Sequence, residues 1–346
     1  MLGVGVADSG WIAVRRFRED DGPIDGALLR QRLGRALKTR KALISSETTA
    51  WRWIHGENDG LPGIRVNVWS EHVTISIDSP SLRGLVGGLV DGIMTLLRPR
   101  TIHLTHRLDP RDSQDVTTSG SERLIGTHLA GPVPVMERGV RFLVNPDNGH
   151  DVGLFPDMRD NRRWFDPHWR DRSVLNLFSY TGAFSVFALN QGAERVTSVD
   201  LSEPHIERLE RNLAANDPNH QWMHESITAD SFKALDRFRR QNESFDIVLA
   251  DPPPFSRGPD GSFSGEKDTE RLISAMLRVL KPGGLLAIAS NVGSLSPRAF
   301  QQIVRKATLR TKRPLQLVHT GTQAPDYPAA LHFPEARYLK FWVLTG

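Results

Sequence analysis

Apolar and polar residues recur with several different periods along this chain. Residues 64–78, IRVNVWSEHVTISID, alternate about a Ser-Glu pair, a pattern typical of a β-hairpin. VPVMERGVRFLVNP at 133–146 alternates in the same way about Arg-Gly. Leucines at helical spacing predict a helix at 25–42, which Asp25 can cap. The remaining patterns predict strands within 1–20, a helix at 81–97, a strand at IHLTH and a loop or domain junction at 112–132.

From Ser173 onward, short continuous apolar runs alternate with helical segments. The runs that we interpret as strands are VLNLF (174–178), VTSVD (196–200), SITAD (226–230), FDIVLADPP (245–253) and GGLLAIAS (283–290). Continuous apolar strands separated by helices are typical of a doubly wound, mostly parallel sheet covered on both faces. We therefore predict the α/β fold class, with a Rossmann-like domain in the C-terminal half.

A glycine turn and an acidic residue end the first two runs. LNLFSYTGAFS takes the first strand into Gly182, where the missing side chain lets the backbone approach a ligand closely. Ser179 and Tyr180 supply polar groups beside it. Asp200 ends the second run about 20 residues later, where a carboxylate can accept both ribose hydroxyls of an adenosine. The turn has a single glycine, unlike a G-x-G-x-x-G loop, which argues against a dinucleotide.

Acidic residues also end the next two runs. Asp230 is suited to accept from an adenine amino group, and Asp251 precedes Pro252, Pro253, Pro254 and Phe255. Each feature has an ordinary alternative, since an Asp at a strand end is often a helix cap and prolines can simply shape a turn. Phe255 can equally be a core residue. The order of the four features along the chain favours an adenosine-containing cofactor at the carboxyl edge of the sheet.

Composition excludes several kinds of chemistry. None of the 346 residues is cysteine, which rules out disulfides, Cys-ligated zinc, iron–sulfur clusters and a thiolate nucleophile. The histidines are scattered along the chain and show no H-E-x-x-H motif, so we expect no metal. The length favours two or more folding units. Without a long apolar window or a signal-peptide pattern, we expect a cytoplasmic protein that does not cross a membrane.

The basic residues are clustered although the net charge is only +4. Such clusters suit a polyanionic partner better than the net charge suggests. The three clusters are Arg30, Arg32, Arg35, Lys38, Arg40 and Lys41; Arg159, Arg162, Arg163, Arg170 and Arg172; and Arg305, Lys306, Arg310, Lys312 and Arg313.

Several stretches resemble one enzyme family. LNLFSYTGAFS, VTSVDLSEPHIERLERNLAAN, FDIVLADPPPFSR and LKPGGLLAIASN resemble the S-adenosylmethionine (SAM)-dependent methyltransferases that modify bases of large-subunit ribosomal RNA. GLFPDMRDNRRWF resembles the segment before their catalytic core, and WIHGENDGLPGIRVNVW the small α/β domain that precedes it. DYPAALHFPEARYLK resembles the tail of their cytosine-C5 branch. The resemblance implies SAM as cofactor, ribosomal RNA as substrate and a homodimer.

The resemblance also implies two sets of site residues. The cofactor pocket would be lined by Phe155, Asp157, Arg159, Phe178, Ser179, Tyr180, Gly182, Asp200, Leu201, Asp230 and Asp251. The catalytic residues, which hold the target base, would be Asp251, Pro252, Pro253, Phe255 and Asn291.

The chain departs from the cytosine-C5 branch at the residue that the chemistry of that branch needs. Its members use a cysteine to attack the ring, where this chain reads Ser290-Asn291-Val292. The guanine-N7 branch has Ser-Asn-Asn and D-P-P-T-F at the matching positions. We therefore predict methylation of a nitrogen, for which orientation of the reactants can supply most of the catalysis. Pro254 replaces a residue that is polar in both branches.

The resemblance also predicts a domain plan. Members open with an RNA-binding PUA domain, of which GVGVADSGWIAVRRF matches only the last strand. We assign 1–20 to a remnant of that domain, 21–130 to a small α/β domain for RNA or substrate recognition, and 131–346 to the methyltransferase domain with its entry hairpin. Two alternatives stay open: a methyltransferase redirected to a small molecule, and a non-catalytic RNA-binding factor.

Overall fold

The computed structural model describes residues 3–8, 12–106, 121–258, 261–265 and 267–346. The chain forms two compact units. The first comprises Met1–Asp157 and Pro325–Ala336, and the second comprises Met158–Ala324 and Arg337–Gly346. Within the described ranges, no helix has the length and apolar character needed to cross a membrane.

A five-stranded sheet with the order β3-β4-β5-β6-β7 forms the centre of the first unit. Neighbouring strands are antiparallel except β5 and β6, which are parallel. The elements are β1 (Val4–Ala7), β2 (Val14–Arg18), α1 (Gly26–Leu43), β3 (Ala50–His55), β4 (Ile64–Trp69), β5 (His72–Ile77), α2 (Val86–Leu96), β6 (Thr101–His106), β7 (Ser121–Ile125), β8 (Val133–Glu137) and β9 (Val140–Val144). Both predicted hairpins are confirmed as β4–β5 and β8–β9.

Helix α1 begins where the sequence predicted, because the Asp25 carboxylate accepts from the Leu28 backbone N–H at 2.9 Å. It packs closely against α2, whose glycines make room for α1 leucines. A Cβ at Gly88 would lie 2.9 Å from Leu29, and one at Gly92 would lie 2.7 Å from Leu33. The predicted loop at 112–132 is wrong for 121–125, which form β7 by pairing with β6; residues 112–120 lie outside the described ranges.

The entry hairpin β8–β9 belongs to the first unit, whereas the sequence assigned it to the methyltransferase domain from residue 131. Backbone contacts with the segment before β3 explain the difference. Thr49 N–H donates to Met136 O at 2.8 Å, and Gly139 N–H donates to Glu47 O at 3.2 Å. The predicted roles of the domains stay predictions.

The second unit contains a seven-stranded sheet with the order β12-β11-β10-β13-β16-β18-β17. Strands β12 to β16 in that order are parallel, and β18 and β17 are antiparallel to their neighbours, which confirms the predicted fold class. The elements are α3 (Arg159–Trp164), β10 (Ser173–Leu177), α4 (Ala183–Asn190), β11 (Arg195–Asp200), α5 (Glu203–Ala214), β12 (His224–Thr228), α6 (Ser231–Arg240), β13 (Phe245–Ala250), β14 (Phe255–Gly258), β15 (Gly261–Ser264), α7 (Thr269–Met276), β16 (Leu280–Ser290), α8 (Pro297–Thr311), β17 (Gln316–Gly321) and β18 (Lys340–Thr345).

At the amino edge of this sheet, the Asp246 carboxylate joins three strands. It accepts from Ser173 Oγ at 2.6 Å and from Lys281 Nζ at 2.8 Å. Burial alone would raise the pKa of Asp246, but the hydrogen bonds from Lys281 and Ser173 outweigh it and hold the pKa below its ordinary value. The carboxylate therefore stabilises the edge opposite to the predicted site.

Candidate active site

The register of the parallel strands brings the predicted site residues of the second unit to one edge. Leu177, the last residue of β10, pairs with Val199 on one side and with Ala250 on the other. Strands β10 and β13 end at Leu177 and Ala250, and β11 ends one residue after Val199. Strand order reverses at β10, and the carboxyl edge at such a switch point is where open α/β sheets bind ligands.

The turn after β10 has an unusual backbone conformation. Phe178, Tyr180 and Gly182 have φ of 53°, 51° and 78°. Left-handed residues other than glycine are uncommon and cluster at ligand sites. The turn is held against the end of β11, because Ser179 N–H donates to Val199 O at 3.0 Å.

Gly182 is required at this turn for two reasons. Its φ is left-handed, and a Cβ there would lie only 2.3 Å from Leu209 Cγ on α5. Asn212, also on α5, donates to Thr181 O at 2.9 Å and fixes the other side of the turn. Helix α5 therefore packs directly against the glycine turn.

The Asp200 carboxylate is held by three donors. Its Oδ2 accepts from Tyr180 N–H at 2.8 Å, and its Oδ1 accepts from Ser202 N–H at 2.9 Å. His205 Nδ1 lies 3.2 Å from the same Oδ1, and the His205 ring packs edge-on against Tyr180. A carboxylate has about four lone-pair sites, so an acceptor site remains on Oδ2.

Asp230 lies beyond the strand that the sequence placed it on. Strand β12 ends at Thr228, and Asp230 is the N-cap of α6 because its carboxylate satisfies the first amides of that helix. Its Oδ1 accepts from Phe232 N–H at 2.9 Å and Lys233 N–H at 3.1 Å. Both of these bonds use Oδ1, so Oδ2 can still accept from a ligand.

Two buried polar atoms at this edge lack a hydrogen-bond partner among the described residues: Ser179 Oγ and Asn291 Oδ1. A buried polar atom left unsatisfied costs about 1–3 kcal/mol, so such atoms point to a ligand. Ser179 follows β10, and Asn291 follows β16.

The proposed target-base residues follow β13 and β16, which are neighbours in the sheet. Asp251 is partly buried and Pro252 is buried. Pro253 is partly buried, and Phe255 begins β14 with 53% of its surface exposed, so Phe255 is not a core residue. Ala250 pairs with Ile288, which places the residues after both strands at the same edge as Asn291.

Of the remaining predicted cofactor residues, three precede β10 and Leu201 follows Asp200. Phe155, which is 53% exposed, and Asp157 belong to the first unit. Arg159 is buried at the start of α3 in the second unit. Leu201 follows β11 and is 39% exposed.

A chain of buried polar side chains that the sequence did not predict lies beneath the carboxyl edge. Asn176 Nδ2 donates to Ser185 Oγ at 2.8 Å, and Ser185 Oγ lies 2.7 Å from Ser198 Oγ. Ser198 Oγ in turn lies 2.7 Å from His224 Nε2. Burial lowers the pKa of His224 to about 4, so its ring is neutral at pH 7. The polar residues inside two apolar runs, Asn176 and Ser198, were the available signal.

Comparison with known proteins identifies the family of this chain. Residues 96–340 match the family model of S-adenosylmethionine-dependent methyltransferases. The chain is 32% identical to ribosomal RNA large subunit methyltransferase I of Alteromonas mediterranea, over 94% of this chain and 81% of that protein. The protein of the same name from Pseudoalteromonas atlantica is also 32% identical, over 92% of this chain and 80% of its own length.

Solved structures show the same fold. The crystal structure of SMU.776 complexed with SAH superposes with a TM-score of 0.89 and 22% identity, over 100% of this chain and 88% of that one. The family match covers most of the chain, and the polar groups at the carboxyl edge are suited to a nucleoside. This chain therefore belongs to the S-adenosylmethionine-dependent methyltransferases, enzymes that take SAM as their cofactor.

Proposed function

We propose that this enzyme methylates a nitrogen atom of a base in large-subunit ribosomal RNA. The relatives named above are called ribosomal RNA large subunit methyltransferases, which supports this class of substrate. The choice of atom rests on the residues at the end of β16. The chain places Ser290 and Asn291 there and has no cysteine anywhere, so it cannot form the covalent adduct that carbon methylation of cytosine needs.

The polar groups at the carboxyl edge support a specific mode of cofactor binding. Asp200 Oδ2 is suited to accept from a ribose hydroxyl, and Asp230 Oδ2 from the adenine amino group. Ser179 Oγ gains the partner that it lacks, and Leu201 offers exposed apolar surface beside Asp200. Phe178, half-buried against the core, follows β10 at the same edge. Phe155, Asp157 and Arg159 stay predicted cofactor residues from the family resemblance alone.

Bound there, SAM supplies a methyl group on a positively charged sulfur. The residues of the chain then need to hold the target nitrogen in line and keep water out. Phe255 offers an exposed ring for a flipped base, and Asn291 Oδ1 can accept from an N–H on the base edge. Asp251, Pro252 and Pro253 confine it from the neighbouring strand. Such orientation is worth roughly 7–11 kcal/mol of the barrier.

Helix α1 carries a basic surface suited to RNA phosphates. Its sequence contains no acidic residue, and Arg30, Arg35, Lys38 and Lys41 are exposed. Two cations of the predicted cluster serve the fold instead. Arg32 donates to backbone carbonyls, and the buried Arg40 pairs with Asp59 through two hydrogen bonds of 2.6 Å.

Helix α8 carries a second basic surface and starts shortly after Asn291. It also lacks acidic residues, and it exposes Arg298, Arg305 and Lys306. The third predicted cluster therefore contributes part of its charge to an RNA-facing surface. Arg313 is used internally, since it donates to Leu280 O at 2.7 Å.

The direct test is transfer of tritiated methyl from labelled SAM to ribosomal RNA, with mass spectrometry of the digested nucleosides. We expect a methyl group on a ring or exocyclic nitrogen. A 5-methylcytosine product would refute the choice of atom, and transfer only to small molecules would refute RNA as substrate. Filter binding should weaken steeply with salt, and less steeply in the Arg305→Gln/Lys306→Gln variant. A homodimer stays a prediction.

A further inference from the structure

Lys340 is a buried cation beside the proposed target-base site. It is the first residue of β18, pairs with Ser290 at the end of β16, and is only 6% exposed. Burial lowers the pKa of its amine from the ordinary value of 10.5. None of the described carboxylates forms an ion pair with it. Burying a lysine without a counter-ion is costly, so a specific use of its N–H groups is expected.

The Lys340 ammonium is used to hold the turn after β16. Its Nζ donates to Val292 O at 2.7 Å and to Tyr338 O at 2.9 Å. On the other side of the same residue, Val292 N–H donates to Ser290 Oγ at 3.4 Å. The carbonyl and the N–H of Val292 are therefore both held by hydrogen bonds. Asn291 lies between Val292 and Ser290, the residue whose Oγ accepts from Val292 N–H.

The same turn packs against the loop that follows β13. A Cβ at Gly265 would lie 3.1 Å from Val292 Cγ2 and 3.4 Å from Pro254 O. Gly265 N–H also donates to Pro254 O at 2.9 Å. A shift of Val292 would therefore disturb the loop that carries Phe255 as well as the turn that carries Asn291.

We propose that Lys340 is a positioning residue for the target base, holding the Val292 carbonyl so that Asn291 Oδ1 faces the base edge. This inference rests on the proposed function of Asn291. Lys340 acts through the turn and not on the cofactor, because its contacts are Val292 O and Tyr338 O, whereas the groups proposed for the ribose and adenine follow β10, β11 and β12. Its loss should lower the rate of transfer while SAM binding stays intact.

The test compares Lys340→Met with Lys281→Met. Lys281 lies near the start of β16, where it donates to Asp246 at 2.8 Å, so it is a matched control at the other edge of the sheet. We expect Lys340→Met to lower kcat on ribosomal RNA by roughly 10- to 100-fold, the scale of a small misplacement of reactants. Lys281→Met should lower the melting temperature and leave kcat unchanged. Calorimetry should give a SAM Kd for Lys340→Met within about twofold of wild type.

A double-mutant cycle with Asn291→Ala tests the route. If Lys340 acts through Asn291, the double variant should be no slower than the slower single variant, and Lys340→Gln, which keeps a donor, should recover part of kcat. The inference would be overturned if the two substitutions lowered kcat independently, so that their factors multiplied in the double variant. A loss of SAM affinity in Lys340→Met as large as its loss of kcat would also overturn it. So would a normal kcat in Lys340→Met. If Lys340→Met fails to fold, Lys340→Gln is measured in its place. Wild-type enzyme that transfers nothing to RNA would instead overturn the proposed function itself.

Discussion

Replacing Asp200 by Asn tests the proposed cofactor site most directly. The substitution keeps the shape of the side chain but turns one oxygen into an NH2 group. Tyr180 N–H and Ser202 N–H donate to different oxygens of Asp200, so in either orientation the NH2 group meets a backbone donor. The carboxylate also loses its charge, which weakens the bond expected from the ribose hydroxyl.

The magnitude follows from the bonds lost. A hydrogen bond to a charged group contributes about 1.5–3 kcal/mol, and each 1.4 kcal/mol is tenfold in affinity. Losing one ribose bond should therefore weaken SAM binding roughly 10- to 150-fold. A second loss at the glycine turn would add to this, because Tyr180 N–H holds that turn against Asp200.

Isothermal titration with SAM and SAH measures the effect, with Asp217→Asn as the control. Asp217 likewise accepts from a backbone amide, that of Asn219 at 2.8 Å, but it precedes β12 and so lies toward the amino edge. The control should bind SAM as wild type does. Folded Asp200→Asn protein with unchanged affinity, or an equal loss in Asp217→Asn, would refute the argument.

Three further predictions follow from the same geometry. Gly182→Ala should destabilise the second unit by about 2–5 kcal/mol in urea unfolding, because a Cβ there is strained by the left-handed backbone and clashes with Leu209. Adding Leu209→Ala should restore part of the lost stability. Unchanged stability in Gly182→Ala would contradict the steric argument. Phe255→Ala should leave SAM affinity and the melting temperature unchanged, because the ring is exposed. It should lower kcat/KM on RNA by a factor that corresponds to about 1–3 kcal/mol of lost stacking with the base. An unaltered kcat/KM would exclude stacking. The pKa of His224 is about 4 in the folded chain and has its ordinary value of 6.5 in the unfolded chain, so between these pH values the unfolded chain binds a proton that the native chain does not. The free energy of unfolding should therefore fall by up to about 3 kcal/mol as the pH drops from 6.5 to 4. A His224→Gln variant with the same dependence of stability on pH would refute this.

The sequence predicted those parts of the fold that depend on local pattern. Continuous apolar runs predicted the parallel strands, because strands buried on both faces need apolar residues throughout. The helix at Gly26–Leu43 was predicted with its cap, since Asp25 acts on an amide three residues away. The glycine turn was predicted because a turn between a strand and a helix has a local signature.

Features made by distant residues could not be predicted in this way. Strand β7 and the β14–β15 hairpin are short and polar, without a clear alternation. Residues 325–336 belong to the first unit, where buried Asp326 accepts from Arg52 N–H at 2.8 Å although the two residues are far apart in the sequence. Lys340 is buried against Val292, a contact between β18 and the turn after β16 that no local pattern of residues indicates.

The two halves of the proposed site therefore differ in how the chain encodes them. The cofactor side depends on contacts around β10 and β11, where Asp200 meets Tyr180 at a glycine turn fixed by α5. The target side depends on β16, β18 and the loop around Gly265, joined only by tertiary contacts such as Lys340 to Val292. Changes after β16 can then alter the atom that is methylated while the cofactor groups keep their geometry. The absence of cysteine beside the glycine turn fits this division under the proposed function, in which the groups at the glycine turn bind SAM and Asn291 with the residues that hold it sets the chemistry at the base.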